Sequence, residues 1–118
     1  MRFARPLRWL VALAGEEVMD LQIGSIRAGR CSSGHRVLGQ RQVEIPSPAA
    51  YLETLRGQGV IADHRERREA IAGQAHTKAG ECGGEAVLDE KILTEVNFLV
   101  EAPRVLAGSF DPSYLALP

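Results

Sequence analysis

Aromatic residues and cysteines are scarce in this 118-residue chain, and the shortage of cysteines argues against a disulfide-rich fold. Aromatic residues make up 5% of the sequence, and the two cysteines, Cys31 and Cys82, have no CxxC spacing. A disulfide-stapled secreted domain is therefore not expected, whereas reduced thiols in a cytoplasmic protein are. The spacing of these cysteines and the three histidines matches no structural zinc pattern. We predict no metal site.

Motifs for nucleotide binding and for nucleophilic catalysis are also missing. The sequence contains no G-x-G-x-x-G fingerprint, no phosphate-binding loop with lysine and no G-x-S-x-G elbow. Ser33 and His35 stand two residues apart, a spacing that rarely orients a nucleophile and its base. The carboxylates of Asp63, Glu66 and Glu69 stand beside arginines, which is typical of a solvated helix face with ion pairs. We predict no catalytic residue.

Long hydrophobic runs are absent as well. The best candidate, residues 9–14, follows three arginines and ends in Ala-Leu-Ala, which imitates a signal peptide. Its length of about six residues is below the roughly 7–15 of a signal-peptide core and far below the roughly 20 that span a bilayer. Pro6 and Arg8 crowd it further. We expect a soluble, cytoplasmic protein without a membrane partner.

The composition that is present is typical of a globular domain. Apolar residues make up 45% and charged residues 25% of the chain, and 118 residues suffice for one domain with its own core. The net charge of −1 conceals seven arginines against three acids over residues 1–41, and two basic residues against six acids over residues 85–118. This asymmetry either steers a polyanion to one face or lets the two halves attract each other.

Hydrophobic periodicity predicts one α+β domain over residues 1–118, with a mixed sheet and flanking helices. Strands are predicted over residues 8–13, 18–26, 41–45, 85–88 and 104–107. Helices are predicted over residues 49–56, 63–80 and 89–99, with a helical turn after Asp111. We expect the aromatic residues to anchor the core, namely Trp9, Tyr51, Phe98, Phe110 and Tyr114.

The most distinctive stretch is a glycine-punctuated loop over residues 27–39 that carries three arginines and a histidine. Glycines allow the backbone to approach a ligand closely, and guanidinium groups pair with phosphate or carboxylate oxygens. Two interpretations stay open: contact with an RNA phosphate or 2′-hydroxyl, or a structural corner whose histidine bonds neighbouring carbonyls. The candidate RNA-contact residues are Arg27, Arg30, Gly34, His35 and Arg36.

Several short motifs follow one another in a specific order along almost the whole chain. They are Met1-Arg-Phe-Ala-Arg-Pro-Leu-Arg-Trp-Leu10, Gly34-His35-Arg36 ending in Leu38-Gly39, Gly59-Val-Ile-Ala-Asp63 followed by Glu66-Arg67-Arg68, Leu99-Val-Glu-Ala-Pro103, Gly108-Ser-Phe-Asp111 and Leu115-Ala-Leu-Pro118. This order resembles the β-subunit family of bacterial heterotetrameric glycine–tRNA ligases. Val37 stands where the family usually has Phe and Ala102 where it often has Trp, so we expect each to remove an aromatic from a core or a domain seam.

The resemblance implies more than the residues show. It implies that the chain is an internal fragment, nearer the amino end, of a longer β subunit. The implied partners are the α subunit and the remainder of β. tRNA(Gly) is a candidate partner, and DNA is not expected to be one. It implies that ATP and Mg²⁺ are used by the α subunit, a class II synthetase, so that this fragment has no cofactor. It further implies a fold similar to the editing-type module of phenylalanine–tRNA ligase β chains.

Our leading interpretation of function is a non-catalytic accessory and tRNA-interaction domain that supports ATP-dependent attachment of glycine to tRNA(Gly) in protein synthesis. Two alternatives stay open. One is a trans-editing deacylase-like module, for which no matching editing residues are found. The other is a purely structural element at a domain seam.

Overall fold

The computed structural model describes residues 6–116, so the outer ends of the first and last family motifs lie outside the described residues. Two compact units are present, one ending at His64 and the other beginning at Arg65. Small sheets and three α-helices make up the architecture of the described residues. The predicted α+β class is confirmed. That the 118 residues form a single domain stays a prediction.

The first unit is built from short strands. Within its described residues they are Leu10–Val11 (β1), Leu13–Ala14 (β2), Glu17–Val18 (β3), Gln22–Ile23 (β4), Ile26–Gly29 (β5), Cys31–Ser32 (β6) and Val43–Glu44 (β7). The order β1-β5-β4 forms a mixed sheet, since β1 is parallel and β4 antiparallel to β5. The pairs β2-β3 and β6-β7 are antiparallel.

Glycines with positive φ divide the first third of the chain into these short strands. The predicted turn between the first two strands is confirmed, because β2 and β3 form a hairpin around Gly15, whose φ is 60°. The prediction of one strand over residues 18–26 is wrong, because the chain reverses at Gly24, whose φ is 62°, and β4 pairs with β5. Both turns use the left-handed region that glycine adopts without steric cost.

The core of the first unit gathers around Ile45, which has no exposed surface. Val43 and Leu55 are buried with it, and five partly buried residues pack against this cluster: Val11, Leu13, Tyr51, Val60 and Ala62. Val43 and Ile45 share a face of the extended segment, as the alternation predicts. Leu55 comes from helix α1, Tyr51–Arg56, which follows a 3₁₀ turn over Pro48–Ala50. The predicted helix is thus confirmed.

The second unit contains helices α2, His64–Glu81, and α3, Glu90–Leu99, and ends in a 3₁₀ helix over Pro112–Ala116. Each α-helix buries residues four positions apart, Arg67 and Ile71 on α2, Leu93 and Asn97 on α3. The Nε of Arg67 donates a 2.9 Å hydrogen bond to the carbonyl oxygen of Asn97. This buried bond joins the two helices, whose buried apolar faces are narrow.

The predicted strands over residues 85–88 and 104–107 are wrong, because both segments have no regular secondary structure. A side-chain amide on α2 supplies partners that a neighbouring strand would otherwise provide. Gln74 donates through Nε2 to the carbonyl of Pro103 at 3.3 Å and accepts the N–H of Val105 at 3.1 Å. These two hydrogen bonds tie the segment after α3 to α2.

The aromatic residues do not anchor the cores as expected. Trp9, Phe98, Phe110 and Tyr114 are 49%, 65%, 65% and 60% exposed. Tyr51 packs against the core cluster of the first unit. The prediction is therefore wrong for four of the five, because their periodic spacing showed one face of an element without showing whether that face is covered. None of the described helices has the length and apolar character to cross a membrane.

Asp89 provides a test of how α3 begins. Its side chain accepts the backbone N–H of Ile92 at 2.9 Å and so caps the first turn of the helix. We expect Asp89→Ala to lower the free energy of unfolding by about 1 kcal/mol, because one amide of the first turn loses its partner. Asp89→Ser retains a capping oxygen and should cost much less. Urea denaturation of both variants checks this, and equal losses would contradict the capping role.

Candidate functional site

The family motif at residues 34–39 forms a loop that closes on itself. The N–H of Gly34 donates to the carbonyl of Gln40 at 2.8 Å, and the N–H of Gly39 donates to the carbonyl of His35 at 2.8 Å. Gly34 is buried, whereas residues 36–38 are exposed. The loop therefore has a fixed base and an exposed tip.

The imidazole of His35 is an internal brace of this loop. Its Nδ1 accepts the backbone N–H of Val37 at 3.2 Å and that of Leu38 at 3.1 Å. Since Nδ1 is an acceptor in both bonds, it carries no proton in this arrangement. The structural interpretation expected this histidine to bond carbonyl groups, and the structure shows that it accepts from amides instead. A role of His35 in RNA contact stays a prediction.

Gln58 holds the loop at both ends and was not singled out from the sequence. Its carbonyl accepts the N–H of His35 at 2.9 Å, and its Oε1 accepts the N–H of Gln40 at 3.0 Å. The residue belongs to a Gly57-Gln58-Gly59 turn after α1, in which Gly59 has a φ of 73°. Two glycines at this spacing indicate by themselves only the end of a helix, because the partners of Gln58 lie about 20 residues earlier in the chain.

The two glycines of the motif are required by this close approach. A β-carbon on Gly34 would lie 2.8 Å from Cβ of Gln58, and one on Gly39 would lie 2.2 Å from its carbonyl oxygen. Both distances are shorter than van der Waals contact allows. We expected these glycines to allow the approach of a ligand, whereas the atoms that approach them belong to the same chain.

Arg30 is committed to contacts within the first unit. Its Nη2 donates to the carbonyl of Glu16 at 2.5 Å, and its Nη1 lies 3.7 Å from a carboxylate oxygen of Glu44. Glu16 belongs to the turn of the β2-β3 hairpin and Glu44 to β7. Arg30 therefore ties the hairpin to the β6-β7 pair, and its guanidinium already has partners.

Arg27 and Arg36 face solvent instead. Both residues are exposed, and within residues 6–116 neither guanidinium makes a hydrogen bond or an ion pair. Arg36 adjoins Val37 and Leu38, which are 82% and 64% exposed. We expected position 37 to lie either in a core or at a domain seam. Its exposure shows that it is not part of the core of the first unit. Of the five candidate residues, these two arginines present unused donors.

The cysteines and the ionisable pairs of the second unit do not form another site. Cys31 and Cys82 are free thiols, and no cluster of His, Cys, Asp and Glu suited to a metal ion occurs among residues 6–116. A hydrogen bond from Lys78 to Glu81 raises the pKa of Lys78. The backbone N–H of Ser113, at 2.9 Å, holds the pKa of Asp111 below its usual value. Both pairs are solvent-accessible and local.

The fit around residue 39 can be tested with a matched pair of glycines. We expect Gly39→Ala to destabilise the first unit by roughly 1–3 kcal/mol, because its methyl group would overlap the carbonyl oxygen of Gln58. Gly73→Ala is the control, since Gly73 lies in α2 with open space around it and alanine favours a helix by up to about 1 kcal/mol. Thermal unfolding should therefore shift in opposite directions. A neutral Gly39→Ala would contradict the close approach.

Comparison with known proteins agrees with the order of the motifs. The family model described as "Glycyl-tRNA synthetase beta subunit" matches residues 1–118. The chain is 45% identical over 118 residues to the glycine–tRNA ligase beta subunit of Bacillus subtilis, and 48% identical over 116 residues to that of Stutzerimonas stutzeri. These alignments cover 100% and 98% of this chain and 17% of each relative.

A third relative gives the same result. The glycine–tRNA ligase beta subunit of Moorella thermoacetica is 41% identical over 118 residues, again 100% of this chain and 17% of the relative. The chain therefore spans about a sixth of the length of the curated relatives that it matches. Since the family model covers the chain from end to end, this chain belongs to the glycyl-tRNA synthetase beta subunit family.

Proposed function

We propose that this chain is a non-catalytic accessory segment of a glycine–tRNA ligase β subunit and contacts tRNA(Gly) while glycine is attached to it. The observation that carries the proposal is the exposed guanidinium of Arg36, on a loop whose base is fixed by Gln58 and His35. The membership of the chain in the glycyl-tRNA synthetase beta subunit family suggests tRNA as the nucleic acid that it contacts. A guanidinium fork matches phosphate oxygens in pairs.

The rigidity of the loop favours this role. His35 and Gln58 fix the backbone on both sides of Arg36, so little backbone freedom is lost when a phosphate binds. A phosphate contact positions RNA without reading its sequence. The loop would therefore contribute to affinity and orientation, and the choice of tRNA would be made elsewhere in the ligase.

The proposal assigns the reaction to other parts of the ligase. Activation of glycine, with ATP and Mg²⁺, would take place on the α subunit, and this chain would use no cofactor. Its partners would be the α subunit and the remainder of β, in the cytoplasm. The sequence supports this division, because it has neither a nucleotide-binding fingerprint nor a nucleophile motif.

A likeness of this chain to the editing-type module of phenylalanine–tRNA ligase β chains is also a proposal. The α+β class of the chain is compatible with it, and superposition of the β1-β5-β4 sheet on that module would test it. Fold-level likeness alone assigns no reaction, and we assign no deacylation residue among those described.

Arg36 provides the test of tRNA contact. In the intact ligase that contains this chain, Arg36→Gln should weaken tRNA(Gly) binding and lower the slope of log affinity against log salt by about 1, because one phosphate contact is lost. Arg104→Gln is the matched control, since Arg104 is an exposed arginine of the second unit. Filter binding at several salt concentrations measures both. An unchanged slope for Arg36→Gln would support the structural-seam alternative instead.

The non-catalytic assignment has a separate test. The 118-residue chain alone should show no ATP–pyrophosphate exchange with glycine, and adding it to the α subunit alone should not replace the intact β subunit. Exchange that depends on glycine, ATP and this chain would overturn the assignment. Hydrolysis of seryl- or alanyl-tRNA by the intact ligase, lost on substitution of His35, would favour the editing alternative.

A further inference from the structure

A cavity of about 410 Å³ opens beside β1 in the first unit. Apolar side chains, two aromatic rings and two hydroxyl groups line it, and polar and apolar atoms share its surface about equally. The lining includes Val11, Ile45, Pro48, Trp9, Tyr51 and Ser32. The volume lies within the roughly 300–1,000 Å³ of pockets that bind small molecules. Among residues 6–116, no charged side chain lines it, so an uncharged group with both apolar and hydrogen-bonding atoms fits it.

Trp9 stands at the rim of this cavity. It is the single tryptophan of the chain and is 49% exposed although it lines the cavity. A half-exposed indole at the mouth of a cavity offers a flat stacking surface to an incoming ring. Tyr51 and Ser32 bring hydroxyl groups, which both donate and accept hydrogen bonds.

The register of the mixed sheet places a cation next to this ring. β1 and β5 are parallel, with Leu10 opposite Ala28 and Val11 opposite Gly29. Continued by one residue, the register sets Trp9 beside Arg27. Residues in register on neighbouring strands have their side chains on the same face. On the other side of β5, Gln22 pairs with Arg27, so the row across the sheet reads Trp9, Arg27, Gln22.

The guanidinium of Arg27 has no partner within residues 6–116, and the residue is exposed. An aromatic ring over a cavity, beside a free cation, fits the two halves of a nucleotide: the base stacks on the ring and the phosphate pairs with the cation. An apolar side chain from a protein partner would use the cavity but leave the guanidinium without an anion. The pair therefore favours a nucleotide.

We propose that Trp9 and Arg27 bind one unstacked nucleotide of RNA, with its base in the cavity against Trp9 and its phosphate on Arg27. This inference rests on the proposed contact with tRNA and names the group that is recognised. A free mononucleotide has the same chemistry. We commit to a nucleotide within an RNA strand, because Arg36, whose guanidinium has no partner among residues 6–116, presents a second cation in the same unit, which a mononucleotide would not need.

The test uses the intact ligase and tRNA(Gly) in which single-stranded positions are replaced one at a time by abasic nucleotides. With the native protein, one position should weaken binding roughly 5- to 100-fold when its base is removed, because one stacked base is lost. With Trp9→Leu, which keeps an apolar side chain but no flat ring, the same abasic replacement should have no further effect. Trp9→Phe should retain most of the affinity.

Arg27→Gln should lower the salt slope of tRNA binding by about 1. Leu21→Ala is the control for the Trp9 variants. It also removes an exposed apolar side chain, but Leu21, which is 46% exposed, does not line the cavity. Unfolding temperatures of all variants show whether they fold. If Trp9→Leu does not fold, the abasic series on native protein and the Arg27→Gln slope still decide the matter.

The outcomes separate this inference from the proposed function. If Arg36→Gln changes the salt slope but no abasic position depends on Trp9, the nucleotide site is overturned and tRNA contact stands. If neither arginine nor Trp9 affects binding, both fail. Competition by AMP, GMP, CMP or UMP without any effect of abasic positions would assign the cavity to a free nucleotide and overturn the inference for RNA.

Discussion

The backbone of Gln58 passes so close to the loop over residues 34–39 that the first unit depends on this contact. A β-carbon at position 39 would lie 2.2 Å from its carbonyl oxygen. The contact reaches the core through α1, because the amide N–H groups of Gln58 and Val60 donate to the carbonyl of Leu55, at 3.0 and 2.9 Å. Leu55 packs with Ile45. The core, the end of α1, the turn after it and the loop are thus connected one after another by these contacts.

This connection changes how the arginines of the loop region are understood. In sequence they form one basic group, but the structure separates them, since Arg30 binds Glu16 and Glu44 while Arg27 and Arg36 remain exposed. An arginine with internal partners stabilises the fold and has little to offer a ligand. Exposed arginines on a fixed framework can bind an anion with little further ordering. Recognition by the first unit is therefore expected to depend on position rather than on the number of basic residues.

The helices were predictable because their signals are local. Capping by Asp89 and apolar residues three to four positions apart place α3 within one residue of its observed bounds, and α2 is equally close. The strands were predicted less well. Alternation could not show that Gly24 reverses the chain, nor that the Gln74 side chain takes the place of a neighbouring strand beside residues 103–105. Both depend on partners that are distant in sequence or on one φ angle.

The amino-acid sequence alone was enough to predict the family, the α+β class, the helix ends and the set of residues from which a site could be drawn. Those features follow from motif order, periodicity and local capping, which need no knowledge of distant neighbours. Three-dimensional contacts were needed to show that Gly34 and Gly39 accommodate Gln58 and that Trp9 lines a cavity next to the sheet that contains Arg27. Close approach and strand register join residues far apart in the chain, and these alone determine which side chains remain available to bind a partner.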